Sequence, residues 1–249
     1  MDLNADLGEG TGPEALAADA LLLEHVSSAN IACGFHAGDF RTMDATVAAC
    51  VQAGVAIGAH PGYPDREGFG RTAMAFEPAE VESMVRYQIG ALAAFCTAHG
   101  VELRHVKAHG ALYNQAAVDP LLAAAIARAV ARFSPSLLLF GLATSGPMAA
   151  AAAGAGLRFI PEAFADRRYL ADGTLQPRSE PGSVLVDPAD AAAQAVRIAR
   201  DGVVIAADGA AVSLRAKTIC IHGDTPGAAA IARAALKGLG AAGVAVERA

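Results

Sequence analysis

The sequence predicts a single-domain α/β protein, an irregular (β/α) barrel of about seven strands. Three observations carry this. Short apolar runs of strand length alternate with longer helical patterns from one end to the other, and no shift in composition marks a domain boundary. The length, 249 residues, suits one such barrel and is enough to bury a large core. Clusters of glycine, histidine and carboxylate recur where the apolar runs end, as in barrels whose chemistry sits on the loops after the strands. A doubly wound open sheet is the alternative, because periodicity alone does not close a sheet.

In order, Met1 to Asp6 reads as a first strand, followed by a glycine-rich turn and a helix opening at Pro13, where a missing N–H is harmless. Residues 28–33 form the second strand. The next helix, about 42–53, puts Met43, Thr46, Val47, Cys50 and Val51 on one face and stops at Gly54. Val55 to Ala59 is the third strand, and Pro61 forbids its continuation as helix. After the loop 60–76, Pro78 opens a helix whose apolar positions Val81, Met84, Val85, Ile89, Leu92, Phe95 and Cys96 keep helical spacing up to Gly100.

Strand four is expected at 103–106, and Asp119-Pro120 caps a helix running to about Phe133. Leu137 to Phe140 is strand five, 147–154 a helix, and Leu157 to Pro161 strand six. An irregular segment, 162–187, is long enough to suggest function. Asp187-Pro188 starts another helix. Residues 203–206 and 211–214 pair as a hairpin around Asp208-Gly209. Thr218 to Ile221 is the last barrel strand, and Thr225-Pro226 is expected to cap the final helix.

Composition narrows the function. A formal charge of −6, a pI near 5.6 and no basic run argue against nucleic acid or an anionic membrane as partner. Cysteines 33, 50, 96 and 220 are scattered, as expected of reduced thiols in a cytoplasmic protein. Residues 1–10 lack a basic n-region, so no signal peptide is expected, and Thr144 to Pro147 interrupt the most apolar stretch. Neither a P-loop, nor a Gly-x-Gly-x-x-Gly after a strand, nor a Gly-x-Ser-x-Gly elbow is present.

The candidate chemistry lies at five strand exits. Asp6, His36 and His60 leave the first three strands, and a carboxylate with two imidazoles can ligate a divalent metal, magnesium or zinc. Lys107 and His109 alternate along strand four, so both face one side, a cation for developing negative charge beside a proton carrier. Asp6, His36, Lys107 and His109 are therefore the catalytic candidates. Asn4, Asn30, Tyr113, Asn114, Glu162, Arg178, His222 and Asp224 are candidates for contacting substrate, and Arg71 and the pair Arg167-Arg168 for holding an anion. Cys33 as a nucleophile is the weaker reading beside a plain buried thiol. His25, His99 and His105 are expected to be structural or solvent-facing.

With those residues in place, the chain resembles the LamB/YcsF family, the A subunits of bacterial-type 5-oxoprolinases, over essentially its whole length. The most specific blocks are Asp2 to Glu9, Ser28 to Asp39, Gly58 to Gly62, Gly68 to Arg71, His109 to Asn114, Phe164 to Tyr169 and Ile221 to Gly227. The resemblance implies a barrel related to carbohydrate deacetylases and a part in the ATP-dependent opening of 5-oxo-L-proline to glutamate with B and C subunits. It leaves a homo-oligomer open. Two departures are visible: Ala108 stands where the family usually has proline, and the Gly10 to Pro13 turn is several residues short. A binding subunit whose partners carry the catalysis, and a stand-alone metal-dependent amide or N-acetyl hydrolase, are the other two readings.

Overall fold

The computed structural model describes residues 1–249. Its centre is a closed parallel barrel of seven strands: β1 (Asp2–Leu7), β2 (Ser28–Ala32), β3 (Ala56–His60), β4 (His105–Lys107), β5 (Leu138–Leu142), β6 (Arg158–Phe164) and β9 (Thr218–His222). Neighbours pair in chain order, and β9 closes the ring by pairing with both β6 and β1. The closed ring settles the choice between barrel and open sheet. The remaining two strands, β7 (Val203–Ile205) and β8 (Ala211–Ser213), form the expected hairpin outside the barrel.

Eight helices surround the barrel: α1 (Pro13–Leu23), α2 (Phe40–Ala53), α3 (Pro78–Ala98), α4 (Gly110–Val118), α5 (Pro120–Phe133), α6 (Gly146–Gly154), α7 (Pro188–Asp201) and α8 (Ala228–Ala241). Several starts follow from their caps. The Asp119 carboxylate accepts the Leu121 and Leu122 N–H groups, and that of Asp187 accepts the Ala189 N–H. Asp39 does the same for Arg41 and Thr42, so the last residue of the Ser28 to Asp39 block caps α2 two residues earlier than the spacing suggests.

Other boundaries differ for physical reasons. Residues 110–118 fold as a separate helix, α4, ended where Asp119 begins α5. Strand β6 runs three residues past Pro161, because its partner β9 supplies the ladder to Phe164. Thr225 does not cap α8; its hydroxyl donates to Asp166 at 2.7 Å, and Gly227 in the left-handed conformation is the N-cap. Val51 is exposed rather than on the buried face of α2.

The apolar core lies between strands and helices, where 58 buried residues form one cluster, much of it alanine against Leu, Ile and Val. The inside of the barrel is different. Asp2, Asn4, Asp6, Ser28, Asn30, His105, Lys107, Glu162 and Thr218 are all buried. Each carries polar groups that must find partners inside the protein, so they bond to one another. Gly58 makes room for one of them: a Cβ there would lie 2.0 Å from the His105 ring, which stacks on Phe140 with centroids 4.2 Å apart. No helix is long and apolar enough to cross a membrane.

Candidate active site

Pleating sends alternate residues of each strand into the barrel, and the last inward residue of each reaches the C-terminal mouth. Asp6, His60, Lys107, Phe164 and His222 arrive there from β1, β3, β4, β6 and β9. They line a cavity of about 590 Å³ with Arg71, His109, Tyr113, Asn114, Arg167 and Arg178.

Lys107 stands at the floor. Its ammonium donates to Asp6 Oδ1 at 2.8 Å and to Cys220 Sγ at 2.9 Å, and lies 3.1 Å from Glu162 Oε1. Both the lysine and its two carboxylates are buried, so each depends on the others for its charge. Burial opposes ionisation of Asp6, but His60 and then Lys107 hold its carboxyl well below the usual range. Burial likewise opposes the Lys107 charge, and Asp6, then Cys220 and Glu162, overcome it. Beneath, Asn30 donates to Asp6 Oδ1 at 2.8 Å and to Asn4 Oδ1 at 2.7 Å, while Asn4 donates to Glu162 at 3.0 Å. Asn4, Asn30 and Glu162 thus support the floor and do not line the cavity.

Beside this floor is a cluster of three imidazoles. His60 Nδ1 meets the Lys107 carbonyl at 2.8 Å, and His109 Nε2 meets the Phe69 carbonyl at 2.8 Å. A carbonyl only accepts, so those nitrogens carry the protons. In the neutral rings the lone pairs of His60 Nε2 and His109 Nδ1 then face each other across 3.0 Å, with Glu9 Oε1 at 3.9 and 3.2 Å from them. Three acceptors directed at one point require a cation between them, a proton or a metal ion. His36, stacked on His109 with centroids 3.7 Å apart, brings Nε2 to 3.3 Å from the same Glu9 oxygen. All four potential ligand atoms lie within 4.8 Å of one another. This donor set, three imidazoles and one carboxylate, fits zinc or a similar divalent ion.

Burial favours the neutral form of two of the three rings. Burial, then the neighbouring His109, pushes His36 down to about 3, and burial also lowers His109. His60 is raised, because Asp6 outweighs the burial that opposes its charge. Asp6 lies 3.4 Å from His60 Nε2 but groups with Cys220 and His222 rather than with His36. The predicted trio of Asp6, His36 and His60 therefore sits in two adjoining groups joined by His60.

Gly70 brings the loop 60–76 over this cluster. A Cβ on it would lie 2.7 Å from His36 Cβ and 2.8 Å from His109 Cδ2, and its φ of 66° is in the left-handed region that favours glycine. Its carbonyl accepts the Ala111 N–H at 2.9 Å, tying loop to α4.

His222 forms the other wall. Asp166, fully buried, receives His222 Nδ1 at 2.9 Å and the His222 backbone N–H at 3.1 Å, and the His222 ring stacks on Phe164. The dyad leaves Nε2 facing the cavity, 4.0 Å from Asp6 Oδ2. On the rim, Arg71 and Arg178 both approach Asp224 Oδ2, at 2.6 and 3.5 Å. Arg167 is turned away to the Gln176 and Ser183 carbonyls and fastens the irregular segment.

Comparison with known proteins agrees with this architecture. The LamB/YcsF family model matches residues 1–249. The chain belongs to the LamB/YcsF family. A protein of Chloroflexus aggregans, named as a 5-oxoprolinase A subunit, is 56% identical over 247 residues, covering 99% of this chain and 98% of its own. One of the same name from Bordetella pertussis is 50% identical over 249 residues, covering 100% and 98%. The crystal structure of a lactam utilization protein from Thermus thermophilus superposes with a TM-score of 0.91 at 49% identity, over 99% of this chain and 98% of that one.

Two residues of this LamB/YcsF chain escape the sequence reading. Glu9 closes the first of the family blocks but lies in a turn, with no strand register to aim it, and only the fold shows it meeting His36 and His109. Asp166 is one of several charged residues in the irregular segment, and nothing local distinguishes it. Cys33, by contrast, is an ordinary buried thiol: it donates to the Ile31 carbonyl at 3.1 Å, and burial pushes it up to about 12.

Proposed function

We propose that the chain is the lactam-binding and ring-opening subunit of an ATP-dependent 5-oxoprolinase, working with B and C subunits that contribute to the ATP site. Its relatives' names supply the substrate. The observation that carries the chemistry is the junction at His60 of a buried ammonium–carboxylate pair, Lys107 and Asp6, with a cation-demanding imidazole cluster, in a cavity of about 590 Å³ that suits a small molecule.

A five-membered lactam is stabilised by amide resonance, so its carbonyl must be activated. Transfer of the γ-phosphoryl group of ATP to the lactam oxygen releases ADP and leaves an electrophilic carbon. Addition of one water, cleavage of the C–N bond with protonation of nitrogen, and hydrolysis of the resulting acyl phosphate by a second water give glutamate and phosphate. Lys107 stabilises negative charge on the oxygen. His222, held by Asp166, takes the proton of the attacking water and returns it to the departing nitrogen. Glu9, His36, His60 and His109 would hold a divalent ion, which when bound would supply Lewis acidity. Tyr113 and Asn114 orient the ring.

Reconstitution tests the reading. 5-Oxo-L-proline-dependent ATP hydrolysis is measured with and without the partner subunits, then with Lys107→Met and His222→Gln chains. Turnover only in the complete set, reduced about 100-fold or more by either substitution, is expected. Full activity of both variants would sink it, and metal-dependent deacetylation by the lone chain would favour the stand-alone hydrolase.

A further inference from the structure

Three guanidinium groups crowd one side of the cavity. Arg71, Arg167 and Arg178 all line it, and Arg167 is buried, where burial and then Arg178 push its guanidinium down to about 10. Arg167 spends its donors on backbone carbonyls. Arg71 and Arg178 do not: their only side-chain acceptor is the single Asp224 oxygen they share, and Arg178 Nη2 is buried with no partner. Arg71 is aimed by the Phe69 ring, 4.7 Å from its guanidinium carbon. Asp224 has no hydrogen bond to anything but these two arginines. Two forked donors that share a single oxygen of one carboxylate form an incompletely filled anion site, since a guanidinium prefers to meet both oxygens of a carboxylate.

We propose that Arg71 and Arg178 form a subsite for the substrate's carboxylate, occupied in the free protein by Asp224 as an internal counter-anion that the incoming carboxylate displaces. The substrate class is then a compact amide carrying a carboxylate close to the amide nitrogen, read at both ends: carboxylate on the arginines, carbonyl toward Lys107. Asp224 sets the affinity by competing for the site. It also keeps the two arginines from repelling each other when the cavity is empty. The choice of a lactam as probe rests on the function proposed above; the arginine pair does not.

Titration calorimetry of the whole chain with 5-oxo-L-proline, 2-pyrrolidinone, N-acetylglycine and inorganic phosphate tests this. The acid is expected to bind at least about tenfold more tightly than 2-pyrrolidinone, which lacks the carboxylate, and Arg178→Gln to erase that difference. Asp224→Asn is expected to tighten 5-oxo-L-proline several-fold, because the competitor is gone; a merely structural role gives no tightening. Melting temperatures of Arg178→Gln and Asp224→Asn chains check that both fold. Equal binding of acid and pyrrolidinone, weaker binding by Asp224→Asn, or Arg178-dependent binding of phosphate alone would overturn the subsite, as would no Arg178-dependent binding of any carboxylate. Arg178-dependent binding of N-acetylglycine without 5-oxo-L-proline would keep the subsite and remove the lactam reading.

Discussion

Replacing Lys107 by Met tests whether the floor of the site is a true buried ion network. The Lys107 side chain is 2% exposed, and its ammonium lies 2.8 Å from Asp6 Oδ1 and 3.1 Å from Glu162 Oε1. Methionine matches its volume, so the loss is electrostatic: buried carboxylates remain without their cation, which costs about 3–5 kcal/mol. In a chain of this size that lowers the melting temperature by roughly 6–20 °C. The pH dependence fixes the sign. Asp6 is depressed in the folded protein, so its contribution is present above its unfolded pKa and is lost as pH falls through the folded value. Lys107 is raised, so its contribution is present below its unfolded pKa and is lost only as pH rises through the folded value. Without the lysine the Asp6 carboxyl regains its proton more readily, and the deficit against wild type shrinks from pH 7.5 to pH 4.5. Adding Asp6→Asn to Lys107→Met is expected to recover part of the loss. Urea denaturation of the wild type, the Lys107→Met and Asp6→Asn single variants and the double variant at both pH values measures this. A deficit below about 1 kcal/mol at pH 7.5, or one that grows toward pH 4.5, would refute the network.

Further outcomes follow from other parts of the site. Glu9→Gln is expected to lower the affinity for zinc or cobalt by about 100-fold or more, read by competition with a chromogenic chelator, because it removes the one anionic ligand of the histidine cluster. Unchanged affinity would place the ion elsewhere. Gly70→Ala combines left-handed strain of about 1–2 kcal/mol with contacts that displace His36 and His109, so it lowers both melting temperature and metal affinity. An effect on melting alone would mean that the imidazoles tolerate the shift. Cys33 is expected to resist iodoacetamide at pH 7.5 in the native protein, and Cys33→Ser to keep most of the activity, assayed as in the reconstitution. Rapid alkylation with loss of activity would revive the nucleophile.

The barrel was legible because strand exits carry their own signatures. Asp6, His60, Lys107 and His222 are last inward residues of strands, and period-two alternation places such residues without any tertiary information. Ring closure was less so, since it depends on β9 reaching both β6 and β1, the latter a pairing between opposite ends of the chain. Elements ruled by tertiary partners were hidden. Thr225 carries a good capping signature but is claimed by Asp166, and Pro161 reads as a strand end until β9 supplies its neighbour. The polar interior misled in another way: Asn4, Asn30 and Glu162 look like substrate contacts in sequence because they are polar and inward, yet they lie one layer too deep. Glu9 belongs to a turn, where no periodicity states which way a side chain points.

Lys107 holds the two halves of the site by its two ends. Its carbonyl sets the proton of His60 and so the direction of that ring's lone pair, while its ammonium, with His60, holds the charge on Asp6. The strand that carries it, β4, is only three residues long. A small displacement of that strand therefore cannot retune one half alone: the tautomer of one ring and the ionisation of one carboxylate are geared together. A shift of β4 therefore moves the proton of His60 and the charge of Asp6 together.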